Sequence, residues 1–442
     1  MKKNRSNSVE CLKKTFAWKK HLLSLIFLAT FFPSAAYSAI YYVDNSGSPA
    51  CSNVPANGTE AHPWCTITYG IGRLSSKDTL YVKSGTYNEE VYINRPAGDS
   101  WGNTIIRAYP GHTVTIRGAG NTGRVKITGT RYLTLDGFII TNFQQGLFIE
   151  GTSDHITVQN CTIHDTYQEG LHVKQNCSYI TLQNNTIYNT GLNTSANGEG
   201  VYIGTSSSNQ AVPYDLTHHV TVKNCTIYNV KDEAIELKPG THECILDGNT
   251  VYNYLLDSGI TAVNWGAIEV MNPKKFYLSN PNHVVMNNTI YGIKTAIGIH
   301  TGATVFNNVI YGQTGSYRGI SIDNDDGDSY TRYIYHNTVD LPNARAIIRS
   351  SGTWDSKNNI GPSTTNNMAT SDSYYVNKAG RNYHLVAGSA PINAGLNLTA
   401  TVPTDIEGNS RSANPPPDLG AYEYIDTDTT APIPPRNLRV IQ

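Results

Sequence analysis

Short alternations of apolar and polar residues recur along the chain in one repeated phrase. ITVQNCTIHDT starts at Ile156, ITLQNNTIYNT at Ile180 and VTVKNCTIYNV at Val220. Weaker copies are CILDGNTVYNY from Cys244, HVVMNNTIYGI from His283, TVFNNVIYGQ from Thr304 and YIYHNTVDLP from Tyr333, with LTLDGFIITN from Leu133 upstream. Alternation with a period of two predicts half-buried strands, because successive strand side chains point to opposite faces. Aligned on Phe138, Cys161, Asn185, Cys225, Asn249, Asn288, Asn308, Asn337 and Asn359, the steps are 23, 24, 40, 24, 39, 20, 29 and 22 residues. A unit near 22–24 residues, enlarged by loops in two places, is too short for a pair of helices.

Strands this short must stack on their counterparts one repeat away. The prediction is therefore an all-β, single-stranded parallel β-helix. An Asn precedes most aligned positions (Asn160, Asn184, Asn224, Asn287, Asn307, Asn358). Asn tolerates a left-handed backbone at a corner, and stacked amides bond along a ladder. A second column precedes each Asn by about fifteen residues in the uninterrupted coils. It reads QGLFIE from Gln145, EGLHVK from Glu169, EGVYIG from Glu199, EAIELK from Glu233, GAIEVM from Gly266, TAIGIH from Thr295 and RGISID from Arg318. Ile235 and Leu237 are predicted to point inward, so Glu236 and Lys238 point outward.

Composition agrees and narrows the class. The 442 residues are 39% hydrophobic and 15% charged, with 38 Gly and 29 Tyr, which excludes a disordered chain and a charge-laced helical bundle. Residues 1–38 carry seven Lys/Arg ahead of a short apolar run from Leu22 to Phe32, then Pro33 and small residues. That order predicts a secretory leader cut after Ser38 and an exported, soluble mature chain; a monomer is expected. The eleven-residue run is too short to span a bilayer. Without the leader, 26 basic and 33 acidic side chains leave a net charge of −7. This argues against nucleic acid as partner, and an anionic partner requires a locally basic or metal-holding site. Cys51 and Cys65 bracket a Gly/Pro/Asn-rich loop and are expected to pair, while Cys161, Cys177, Cys225 and Cys244 read as buried thiols. The predicted divisions are N-terminal capping coils over 39–125, central coils over 126–362 and C-terminal coils with a cap over 363–425.

On these residues the coils resemble the right-handed parallel β-helix of pectate lyases, chondroitinase B and related alginate lyases. The opening YYVDNSG, GTEAHPWCTI and DTLYVKSGTYNEEVYI, and the tail YHLVAGSAPINAG, DIEGNSR and DLGAYEY, are similar to those of many secreted β-helix proteins. Residues 426–442 look like a linker or the truncated start of a fibronectin type III module. The resemblance implies a lyase acting on an acidic, uronate-containing polysaccharide. Two other readings stay open: a non-catalytic glycan-binding β-helix and a C5-epimerase. The paired aspartates and Gly-His-Gly expected of a polygalacturonase are absent.

Stacking turns the columns into a map, since equivalent residues of adjacent coils lie about 4.8 Å apart. Glu169, Glu199 and Glu233 share one column, His172, Tyr202, Glu236 and Glu269 an outward one, and Lys174, Gly204, Lys238, Met271 and His300 a third. Oxygen-rich corners suit Ca²⁺; the alternative is a solvated acidic corner. The candidate metal set is Asn197, Glu199, Glu233, Glu236 and Glu269. Cleavage by β-elimination needs the uronate carboxylate neutralised, a base for the C5 proton and a proton for the leaving oxygen. Lys238 is the candidate base, the alternative being a surface lysine. The resemblance maps the metal ligands of chondroitinase B-like lyases onto Asn197, Glu199 and Glu233, and their lysine base onto Lys238. Two departures weaken the match: the glutamate-to-lysine spacing differs, and no arginine follows in GITAVNWGAIEV. Candidate substrate contacts are His172, Lys174, Tyr202, Trp265, His300 and Arg318. DNDDGD from Asp323 reads as a polar turn or a calcium loop.

Overall fold

In the computed structural model the described residues are 38–94, 98–100, 102–193, 197–206, 214–257, 259, 262–271, 281–324, 327–362 and 364–426. Residues 1–37, which hold all but the last residue of the expected leader, and residues 427–442 lie outside them, as do Asp325 and Asp326. Among the described residues, no helix is long and apolar enough to cross a membrane.

The chain winds through three parallel sheets, visiting each once per coil. The first runs in twelve strands from Ile40–Val43 to Thr353–Lys357, and the second in twelve from Gly85–Tyr87 to Met368–Ala369. The third has ten, from Tyr92–Ile93 to Ile347–Arg349. Register follows the repeat: Ile163 pairs with Ile187, then Ile227, Val251, Ile290, Ile310 and Val339. Inward Ile, Val and Leu from all three sheets merge into one core along the helix. The first strand, Ile40–Val43, already belongs to the regular stack. A five-residue helix, Ile67–Ile71, packs beside it with Thr66 as cap. Cys51 and Cys65 form the expected disulfide, and the other four described cysteines are buried thiols. At the far end, an antiparallel hairpin of Tyr375–Asn377 and Asn382–Leu385 builds a second apolar cluster with Ile360 and Leu419.

The two adjacent positions at each corner, most of them Asn, divide the work. The first is left-handed throughout, with φ of 55° at Asn160, 56° at Asn184 and 52° at Asn224. The amide ladder belongs mainly to the second. Asn249, Asn288, Asn308, Asn337 and Asn359 each donate from Nδ2 to the next Oδ1 at 2.8–2.9 Å, the last to Asn367. Every rung also captures a backbone N–H that the corner would otherwise strand, such as that of Asn288 on Asn308 Oδ1 at 3.0 Å. Asn308→Ala is therefore expected to destabilise the fold by about 1–3 kcal/mol for each buried group left unpaired. Denaturant unfolding reads this directly, and a change within about 0.5 kcal/mol, usual for a surface substitution, would refute the ladder's role.

Candidate functional site

The third sheet differs from the other two. Its short strands are buried on both faces, from Leu171–Val173 through Ile320–Ile322, whereas second-sheet strands such as Thr226–Tyr228 alternate. Backbone pairing places His172 beside Tyr202, Tyr202 beside Glu236 and Glu236 beside Glu269, the predicted outward column. The column is not solvent-facing, however. Large side chains stack along it: the Phe148 and His172 ring centres lie 4.6 Å apart, those of His172 and Tyr202 4.4 Å. Lys238 Nζ covers the Tyr202 ring at 4.7 Å and pairs with Glu236. His172, Tyr202 and His300, expected as exposed sugar contacts, are thus buried in the floor of the site.

The acidic residues sort into three groups. Glu199, Glu233 and Glu236 converge, each placing a carboxylate oxygen within 4.8 Å of the others, and all are buried. A solvated corner is excluded for these three. Glu199 Oε2 and Glu236 Oε2 are buried without a hydrogen-bond partner. Glu269 turns away instead: its Oε2 accepts from the Gly266 N–H at 2.8 Å and its Oε1 pairs with His300 Nε2 at 2.6 Å. Glu169 accepts from Gln145 at 2.9 Å. Asn197 is exposed and stands outside the group of three.

The remaining candidates are dispersed. Arg318 is spent on the protein itself, donating to Asn264 Oδ1 at 2.6 Å and Ser321 Oγ at 2.9 Å. Asn264, which sequence reasoning passed over, also donates to Asp323 at 2.7 Å. Asp323 occupies the Lys238 column, a placement RGISID already implied. In the DNDDGD turn, Asp323 accepts from Ser351 and Asp328 pairs with the fully buried Arg332. Trp265 is 43% exposed, so it does not cap the core. Lys174 sits over the Phe148 ring at 4.8 Å.

Electrostatics follow from burial. Desolvation, then the charge of Glu236, pushes Glu199 and Glu233 well above the ordinary carboxyl range. Desolvation also raises Glu236, to about 7, with Lys238 opposing. Burial alone would lower Lys238, but Glu236, with Glu199 and Glu233 behind it, outweighs burial and raises it. His172 falls to about 4 because burial disfavours the imidazolium.

These shifts set a pH dependence. A carboxyl raised from 4.5 to about 7 holds a proton in the folded chain that the unfolded chain has already lost. Its contribution to stability is full below 4.5 and disappears as pH rises through about 7. His172 works oppositely, destabilising only below its unfolded value of 6.5. With divalent cations chelated, the melting temperature is therefore expected to fall as pH rises from about 4.5 through about 7, Glu199, Glu233 and Glu236 together outweighing the opposing His172. Glu233→Gln should flatten that decline. A wild-type profile level over this range would contradict the buried triad.

Comparison with known proteins places the architecture. A family described as "Right handed beta helix region" matches residues 65–216 and, overlapping, 97–274. The solved structure of pectate lyase Pel9A is similar at 18% identity, covering 88% of this chain and 97% of that one, with a TM-score of 0.64. A rhamnogalacturonan lyase is similar at 14% identity over 88% of this chain and 97% of its own, TM-score 0.55. An alginate lyase from Paenibacillus sp. str. FPU-7 is similar at 17% identity over 75% and 99%, TM-score 0.54. No curated protein matches by sequence.

Proposed function

We propose that this right-handed parallel β-helix protein is an exported lyase that cleaves an acidic, uronate-containing polysaccharide by β-elimination. The carrying observation is the buried Glu199–Glu233–Glu236 triad with Lys238 paired against it. Two orphaned carboxylate oxygens and an all-oxygen donor set fit a calcium ion, held by those three glutamates. When bound, calcium supplies positive charge that attracts a uronate carboxylate and stabilises the charge developing as C5 loses its proton. Lys238 accepts that proton as a neutral amine, the C4–O bond breaks as the C4–C5 double bond forms, and the leaving oxygen takes a proton from water or from the Lys238 ammonium so formed. In the cation-free protein its pKa is raised, so it stands as an ammonium until the carboxylate charge around it is offset. Base and cation are thereby coupled. Trp265 and Lys174, at the edge of the packed floor, are the groups left to meet sugar rings and uronate charge. The resemblance in fold to lyases named for pectate, alginate and rhamnogalacturonan makes lyase chemistry the first to test.

One observation favours a second reading, a non-catalytic glycan-binding β-helix: the Lys238–Glu236 pair, which keeps the lysine protonated. The deciding experiment incubates the full chain with pectate, alginate and glycosaminoglycans, with and without calcium. Absorbance from a conjugated C4–C5 double bond supports the lyase. Solvent-hydrogen exchange at C5 without cleavage supports an epimerase, and binding alone supports the second reading. Export is checked on the secreted chain, whose N-terminus is expected at Ala39.

A further inference from the structure

A second cluster of metal-binding groups lies on the first sheet, away from the glutamate triad. His218 opens the strand His218–Lys223, and His242 forms a parallel bridge with it from the next coil. Their rings stack with centres 4.7 Å apart. In an ordinary strand His219 and Glu243 would point to the opposite face from their neighbours. Both instead have left-handed backbone, with φ of 52° and 54°, which breaks the alternation. The four side chains therefore converge. His218 Nδ1 and His219 Nδ1 are 2.6 Å apart, and His219 Nδ1 is 3.3 Å from Glu243 Oε2. His218, His242 and Glu243 each offer a ligand atom within 4.8 Å of the others.

The tautomer of His242 is set by its partner. Its Nδ1 lies 3.3 Å from the Gly240 carbonyl, which can only accept, so Nδ1 carries the proton and Nε2 keeps its lone pair. A ring N–H donated to a backbone carbonyl is the usual support of a metal-bound histidine. The cluster is also reachable: His219 and Glu243 line a groove of about 600 Å³, with Tyr132, His155 and Tyr179 further along it.

We infer that His218, His242 and Glu243, assisted by His219, form a binding site for a transition-metal ion of the zinc class. Imidazole nitrogens suit Zn²⁺, Co²⁺, Ni²⁺ or Cu²⁺, whereas Ca²⁺ takes oxygen ligands. The two clusters thus sort by donor chemistry, a hard cation at the glutamates and a borderline one at the histidines. A metal here ties two successive coils together across one full turn of the β-helix.

The test uses the full chain without a histidine tag. Calorimetric titration with ZnCl₂ is expected to show one zinc per chain, and Co²⁺ to acquire visible d–d absorption. His218→Ala and His242→Ala should each weaken zinc binding by at least the roughly 10–100-fold that loss of an outer-shell partner costs. Glu243→Gln changes an exposed side chain, so it reports on the site even if a histidine variant fails to fold. It too should bind zinc more weakly. Glu199→Gln should leave zinc affinity unchanged. Absence of zinc binding by the wild-type chain overturns the inference. So does wild-type affinity in Glu243→Gln together with either histidine variant, or loss of binding only in Glu199→Gln.

Discussion

Lys238→Ala is expected to lower the rate of unsaturated-product formation by about 10²–10⁴-fold, the usual contribution of a general base. The loss should fall on kcat, since the ammonium is engaged with Glu236 and the Tyr202 ring. Lys238→Arg should fail almost as badly, because a guanidinium stays protonated and cannot accept the C5 proton. Removing the lysine leaves Glu236 buried beside two other carboxyls. That carboxyl already sits near 7 and can take up a proton, so the variant is expected to fold, as circular dichroism will show. Lys174→Ala should instead raise KM for a polyanion, and Lys223→Ala, on the first sheet and paired with Asp247, should change neither constant. Full activity in Lys238→Arg would remove Lys238 as the base.

Chelating divalent cations should abolish activity altogether, with calcium restoring it. Glu199→Gln and Glu233→Gln should each raise the calcium requirement, by at least the roughly 10–100-fold typical of losing an outer-shell partner. The physical reason is the cost of three carboxylates converging out of water. Without a cation they avoid that cost by holding protons. Binding must displace those protons, so calcium affinity should rise with pH through about 7, where Glu236 titrates. Calorimetry at neutral and mildly alkaline pH measures both the affinity and the proton release. No calcium binding at either pH would end the calcium proposal, while leaving the zinc inference on the first sheet untouched.

The architecture was legible from the sequence because a parallel stack is a periodic object. Once Ile163, Ile187 and Ile227 occupy equivalent places, hydrogen bonding between coils obliges His172, Tyr202, Glu236 and Glu269 to line up as well. The left-handed corner asparagines, the Cys51–Cys65 bond and the buried thiols were legible for similarly local reasons. What periodicity does not encode is whether the outer face of a sheet meets water. Only the tertiary structure showed the central strands of the third sheet, Leu171–Val173 through Ile320–Ile322, closed on both faces, which moves His172, Tyr202 and His300 into its packed floor. Nor does a column say which neighbour a carboxylate chooses. Glu236 and Glu269 share one column, yet the first joins Glu199 and Glu233 while the second turns to His300 and Gly266. The histidine cluster was hidden for a related reason. Strict alternation sends His218 and His219 to opposite faces, and only the left-handed turns at His219 and Glu243 bring them together. Repeats determine which residues are adjacent; side-chain conformation and the chain packed over them determine what the adjacency can do.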